Sequence, residues 1–328
     1  MMELVKDMLA GDVLALARLI TKVERDGGEV PEMMKLVYPH LGKAYCIGLT
    51  GPPGAGKSTV VDRLTALMRQ RGFTVGIIAA DPTSPFTGGA VLGDRIRMQQ
   101  HYLDDGVFIR SMATRGSQGG LPRSTSGVIK LLTAFGKDFV LVETVGVGQT
   151  ELDIMENVDT TVVILTPEAG DTIQTMKAGL FEIADIFAVN KADRPGADNL
   201  VTELTMMIHL YARQGSWQVP VMATEAINDV GIQELYEHIE KHRQTLEESG
   251  RLSQRRQEQR RREFMEMVER RVAGEMLRLI ERDEDMSRYM AMVEAGQVDP
   301  YSAADEILRP RTLLASWSRQ LAEKRPND

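Results

Sequence analysis

Residues 44–59 read AYCIGLTGPPGAGKST, and this stretch decides the fold. An apolar run ending at Thr50 enters a glycine-rich turn that closes on Gly56-Lys57-Ser58, after which Val60, Val61, Leu64, Leu67 and Met68 recur at helical spacing. Gly51 to Ser58 match G-x-x-x-x-G-K-[ST] with a strand before and a helix after, the context the pattern needs. Successive backbone N–H groups around Gly54, Ala55 and Gly56 form an anion nest, and the helix that starts near Lys57 adds its positive end. Lys57 is placed to reach β- and γ-phosphates and the Ser58 hydroxyl to take a Mg²⁺ position. The whole run Gly51, Pro52, Pro53, Gly54, Ala55, Gly56, Lys57, Ser58 and Thr59 is therefore the expected phosphate site.

Working outward, the composition sets limits. The 328 residues are 43% hydrophobic and 26% charged, as in an ordinary globular protein. A net charge of −8 with a pI near 5.4 argues against a nucleic acid partner held by overall charge. Cys46 is the single cysteine, so a disulfide within the chain and a cysteine-built zinc site are both excluded. No run of 18 apolar residues exists, and the opening MMELVKDMLAGD lacks a basic stretch followed by an apolar one. A cytoplasmic protein with no membrane segment is expected.

Residues 2–41 read as helical, with Val13, Leu14, Leu16, Leu19 and Ile20 on one face, a break at Asp26-Gly27-Gly28 and a second helix over 31–40. Strands are expected at 74–80, 107–110, 139–142, 161–166, 186–189 and 219–223, with a helix at 124–135. Asp81 follows the second strand at the carboxyl end, where open α/β sheets bind ligands, and a turn role in Asp81-Pro82 is the alternative. Asp94 closes a glycine-rich segment and either reaches a metal or its water, or caps the helix that follows. Glu143-Thr144-Val145-Gly146 matches the D-x-x-G segment of GTPases with Glu for Asp. Its carboxylate would serve the Mg²⁺ shell and the Gly146 N–H would sense the γ-phosphate. Asn190-Lys191-Ala192-Asp193 matches N-K-x-D at a strand end. Asp193 would accept from guanine N1–H and the exocyclic amine, a donor pair that adenine lacks. Asn190 would tie neighbouring loops, and the Lys191 stem would cover the base. Thr224, Glu225 and Ala226 lie where a backbone N–H meets the guanine oxygen. From Gly231 the pattern is helical. Residues 251–262 carry six arginines against one glutamate, read as a solvated helix face or a protein interface. Phe264, Val268, Val272, Met276, Leu279 and Ile280 then make one stripe on a long helix, whose simplest partner is a second copy of the chain, a homodimer.

With these motifs in order, the chain resembles the G-protein metallochaperones that carry glutamate in the second Walker motif. Within them GPPGAGKST, DPTSPFTGGAVLGDR, SMATRGSQGGL and VETVGVGQTE resemble the MeaB-like branch that serves methylmalonyl-CoA mutase, some of whose relatives are labelled arginine or lysine transport-system kinases. The resemblance covers essentially the whole chain. It implies a doubly wound, mostly parallel α/β P-loop G domain over 43–248, a helical extension over 1–42 and a helical dimerisation arm over 249–328. It also implies a GTPase that uses Mg²⁺, gates loading of adenosylcobalamin into the mutase and protects that enzyme from inactivation. By position, Lys57, Asp81, Asp94 and Glu143 become the catalytic and metal-shell residues together with Ser58. Asp171 to Lys177 becomes a third switch segment, with Asp171, Gln174 and Lys177 coupling nucleotide state to the mutase.

Two departures from other GTPases bear on mechanism. Pro52 and Pro53 stand where many members of this class carry an extra lysine, so a lysine supplied across a dimer is not expected. Val147 occupies the position of the usual water-orienting glutamine, which predicts slow intrinsic hydrolysis that a partner accelerates. Gln149 and Gln174 are weaker candidates for the water. A nickel-insertion GTPase lacks its Cys and His ligands here, and a kinase of a transport binding protein has no need for N-K-x-D.

Overall fold

The computed structural model of the chain describes residues 1–81, 98–113, 121–146, 154–169, 179–211 and 217–309. Seven parallel strands form one sheet: β1 (Tyr45–Thr50), β2 (Val75–Asp81), β3 (Val107–Ala113), β4 (Phe139–Glu143), β5 (Thr160–Leu165), β6 (Ile186–Asn190) and β7 (Val221–Thr224), in the order β3-β2-β4-β1-β5-β6-β7. The chain first builds to one side of β1 and then to the other, so the winding reverses at β1. That reversal opens a crevice at the carboxyl ends of the central strands, where open α/β sheets take their ligands. The sheet is wholly parallel. β3 runs three residues past the expected end, because pairing with β2 continues from Val75↔Val107 to Asp81↔Ala113.

Alternation along the strands splits the core into two faces. On one, Cys46, Ile78, Val140, Val142, Val163 and Phe187 pack with helices α1 (Met2–Leu9), α2 (Val13–Glu24), α3 (Val30–Val37) and α5 (Thr125–Ala134). On the other, Ile47, Leu49, Ile77, Leu141 and Ile164 pack with α4 (Lys57–Gln70) and α8 (Ile232–Glu248). Helices α6 (Gly179–Ile183) and α7 (Ala197–Tyr211) flank β6 in sequence. In the N-terminal region the helix is broken once more than expected. Asp12 caps α2 by accepting from Leu14 N at 2.7 Å and Ala15 N at 3.2 Å, which starts a new helix there. Leu16, Leu19 and Ile20 are buried as read, whereas Val13 and Leu14 are exposed.

The amino ends of β1, β5 and β6 carry a closed polar cluster. Asp159, 2% exposed, accepts from Cys46 N at 2.9 Å and from the Arg256 guanidinium at 2.8 and 2.6 Å, while Arg256 also donates to Ala44 O at 2.9 Å. Arg255 donates to Asp185 at 3.2 Å. The hydrogen bond from Arg256 to Asp159 raises the guanidinium's pKa, and burial pushes the Cys46 thiol up, as a core cysteine requires. At these two positions the reading of 251–262 as a solvated or partner-facing stretch is corrected, since they are turned onto the sheet, while Arg251, Arg260, Arg261 and Arg262 are exposed as read.

The chain divides into two compact units, Met1–Arg256 and Gln257–Asp328, and α9 (Arg251–Arg282) contains the boundary. In the second unit Met286 of α10 (Glu284–Glu294) and Ile307 of α11 (Pro300–Leu308) are buried with Met276, Ile280 and Tyr289 beside them. Upstream on α9, Phe264, Val268 and Val272 of the expected stripe are exposed.

Candidate functional site

The carboxyl ends of β1, β4, β6 and β7 bring four of the sequence motifs together. β1 delivers Thr50 to the phosphate loop, and α4 begins at Lys57. Lys57 is buried and donates Nζ to Gly51 O at 2.9 Å and Pro52 O at 3.2 Å, across the mouth of the loop. One residue on, Ser58 Oγ donates to Glu143 Oε1 at 2.7 Å. The two side chains lie 85 positions apart in sequence and meet because Leu49 and Glu143 are register partners. A hydroxyl and a carboxylate in contact are hard oxygen donors, the kind of set that suits Mg²⁺.

The E-x-x-G segment is seated on the phosphate loop. Thr144 N donates to Leu49 O at 3.1 Å, and the Thr144 and Thr50 hydroxyls are 2.9 Å apart in the core. Gly146 has φ +80°, and a methyl group added there would lie 2.3 Å from Lys57 Nζ and 2.4 Å from Gly51 O. Only glycine permits that approach, so Gly146 sits directly over the lysine.

Asn190 is the junction of three segments. It donates Nδ2 to Ala55 O at 2.8 Å and accepts at Oδ1 from Ala226 N at 3.1 Å and Thr224 Oγ1 at 3.2 Å. The phosphate loop must come close for this: a methyl group at Gly56, where φ is +88°, would lie 2.3 Å from Asn190 Nδ2. Lys191 adopts φ +59°, a left-handed conformation rare for a residue with a side chain, and is held there by Ala192 N donating to Thr224 O at 3.0 Å. Asp193 is exposed beyond that turn, and Glu225 pairs with Val230 in an isolated antiparallel bridge.

Lys57, Ser58, Glu143, Gly146, Asn190, Thr224 and Ala226 thus converge on one edge of the sheet. Asp81 closes β2 at the same edge, two register steps beyond the Ala79↔Glu143 pair. Asp94, Val147, Gln149, Asp171, Gln174 and Lys177 lie outside the described residues. Sequence reasoning missed the Thr50–Thr144 hydroxyl pair and the strained turn at Lys191. A threonine at a strand end has no distinctive pattern, and backbone strain has no sequence signature in a non-glycine residue.

A β1–phosphate loop–α4 unit with a carboxylate on the neighbouring strand and an N-K-x-D turn at β6 is the site of a P-loop GTPase. The family model described as methylmalonyl Co-A mutase-associated GTPase MeaB matches residues 16–279, and the chain belongs to that family. It is 51% identical over 94% of its length to a Pyrococcus abyssi protein named as a GTPase, of which it covers 95%. It is 33% identical to Escherichia coli GTPase ArgK, over 98% of this chain and 95% of that one. With the mouse methylmalonic aciduria type A homolog, mitochondrial, it shares 30% identity over 92% of its length and 77% of the mouse chain. Among solved structures, a LAO/AO transport system kinase superposes with a TM-score of 0.67 at 27% identity, covering 93% and 95% of the two chains. The chain is accordingly a GTP hydrolase. Among the described residues no helix is long and apolar enough to cross a membrane.

Proposed function

We propose that this GTPase is a switch for adenosylcobalamin-dependent methylmalonyl-CoA mutase, gating loading of the cofactor and protecting the mutase from inactivation. In this reading Lys57 binds the β- and γ-phosphates, and Ser58 and Glu143, with Asp81 and Asp94, hold Mg²⁺ and its waters. Asp193 reads guanine, with the backbone of 224–226 at the base oxygen. When held by these residues, Mg²⁺ would supply positive charge that offsets the negative charge developing during phosphoryl transfer to water. The observation that carries a switch is the seat of Gly146 on Lys57 and Gly51. A γ-phosphate drawn to Lys57 must displace or capture the segment that starts at Glu143, so nucleotide state and loop position are linked. Asp171, Gln174 and Lys177 then pass that state to the mutase.

The family name and the mouse relative support the mutase as client. Exposed Phe264, Val268 and Val272 on α9 support a homodimer in which the arm from 249 onward, following the G domain of 43–248 and the helices of 1–42, covers its apolar stripe with a second copy. The expected outcome of a phosphate-release assay is slow basal hydrolysis, accelerated when the mutase and its corrinoid are added, because Val147 cannot orient water. A fast basal rate that the mutase leaves unchanged would overturn the switch reading.

A further inference from the structure

Helix α4 carries a polar stripe along a face that is otherwise core. At 3.6 residues per turn, Ser58, Asp62, Thr65 and Arg69 fall within about 60° of one another on the helix. Thr65 satisfies itself by donating to Val61 O at 2.7 Å. The other three reach across to different parts of the chain. Ser58 meets Glu143, and Arg69 donates to Asp104 at 2.8 and 2.9 Å. Asp62, 8% exposed, accepts at Oδ2 from Gln100 Nε2 at 2.6 Å, and His101 Nε2 lies 3.2 Å from both Asp62 Oδ1 and Asp62 O. His101 is itself 6% exposed. Its Nε2 lies beside these two oxygens and 3.4 Å from Gln100 Nε2, and donating to either oxygen requires the proton on Nε2.

Burial works against the charge on Asp62, but the hydrogen bonds from His101 and Gln100 outweigh it and hold the carboxyl below its ordinary value. A leucine at position 62 would bury the same surface without desolvating a charge. A directional contact fixes the helix along and about its axis in a way that an apolar one does not. Ser58 is one turn from Asp62, a rise of about 6 Å, and a metal-binding hydroxyl needs placement to within about 0.5 Å to be useful.

We propose that Asp62 and His101 are positioning residues for the nucleotide site: the clasp fixes the first turn of α4 so that Ser58 meets the Mg²⁺ that accompanies the guanine nucleotide. This rests on the GTPase reading of the site. Gln100 completes the clasp, and Arg69 with Asp104 anchors the same helix face further from the phosphates. The clasp touches neither nucleotide nor metal, and it acts through Ser58.

Fluorescent GDP binding, with saturating Mg²⁺ and separately in EDTA, tests it on the full-length protein. Loss of an outer partner typically weakens metal affinity by about tenfold or more. His101→Leu is therefore expected to lose about that much of the tightening that Mg²⁺ gives, with affinity in EDTA unchanged. His101→Gln, which keeps an amide donor near the Nε2 position, should recover most of it. A folded His101→Leu with the wild-type Mg²⁺ effect overturns the proposal, as does an equal loss with and without Mg²⁺, which marks a merely structural role. Should His101→Leu fail to fold, the imidazole resonances of His101 in the wild-type protein decide: they must shift when Mg²⁺ is added to the GDP complex, and an unmoved signal overturns the clasp's role. Wild-type protein that binds no guanine nucleotide would instead defeat the GTPase reading, a result distinct from either.

Discussion

The two ends of the sheet are both polar, yet they are built on opposite principles. At the carboxyl edge, glycine backbone and short side chains hold one another: Lys57 on Gly51 and Pro52 carbonyls, Ser58 on Glu143, Asn190 on Ala55 and Ala226. The contacts of Lys57 and Ser58 are ones that a phosphate or a cation can replace with its own, while those of Asn190 hold the surrounding loops in place. At the amino edge, Asp159 and Asp185 are closed over by Arg256 and Arg255, and the neighbouring hydroxyls and imidazole satisfy one another. Polar residues at strand ends become a site when the chain pairs them with groups a ligand can displace, and a fastening when it covers them with its own cations.

The sharpest way to break the contrast is to change one charged residue at each end. Asp193 is exposed, so Asp193→Asn should leave stability within about 0.5 kcal/mol, as for an ordinary surface substitution. Its proposed pair of hydrogen bonds to guanine, worth about 1.5–3 kcal/mol each to a charged acceptor, would be lost, so GTP affinity should fall by about two orders of magnitude or more. Xanthosine nucleotides should be preferred instead. Comparing the two nucleotides by titration checks this, and unchanged GTP binding would remove Asp193 from the site.

At the other end the effect is reversed in kind. Arg256→Ala strips the cation from Asp159, which is 2% exposed. Removing one member of a buried pair costs about 3–5 kcal/mol, and because the arginine is partly exposed, about 2–3 kcal/mol is expected here. Urea unfolding should register that loss, while nucleotide affinity of the folded protein stays as it was. A change in affinity with unchanged stability would mean that the amino edge communicates with the site.

How much of this was legible follows from the same contrast. The carboxyl edge is written in short motifs, because phosphate, metal and base each dictate residue types at fixed spacing. Gly51 to Ser58, Glu143 to Gly146 and Asn190 to Asp193 could be placed on their strands from sequence, and the apolar run before the phosphate loop marked β1. The amino edge has no such grammar. Asp159 and Arg256 are 97 positions apart, and an arginine-rich stretch at the start of a helix reads as solvated until the strand order brings Asp159 and Asp185 beneath it. Asp62 and His101 were invisible for the same reason. Their pairing depends on how the chain returns from β2 to β3, and a lone Asp on an amphipathic helix looks like its solvent face.

The smallest effect tests whether the amino edge is as closed as its hydrogen bonds imply. His242 is 1% exposed, with Nδ1 2.8 Å from Thr160 Oγ1 and Nε2 3.4 Å from Asp185 Oδ1, and Thr160 Oγ1 is also 2.6 Å from the Tyr45 hydroxyl. The only assignment that satisfies the chain runs from Tyr45 O–H to Thr160, from Thr160 O–H to Nδ1, and from Nε2–H toward Asp185, which requires a neutral imidazole. Burial lowers the pKa of His242 from its ordinary 6.5, more strongly than Asp185 raises it, while Arg255 adds to the lowering and Asp159 opposes it. A histidine held neutral contributes its stability above the unfolded value. As the pH drops below 6.5, the unfolded chain takes up a proton that the folded one refuses, and that contribution is lost until the folded pKa is reached. Urea midpoints should therefore decline from pH 7.5 to 5.5 by less than the Arg256→Ala loss, and His242→Asn, which does not titrate, should flatten that part of the decline. An unaltered slope in His242→Asn would show that the imidazole exchanges protons while folded, and that this edge opens as the other one does.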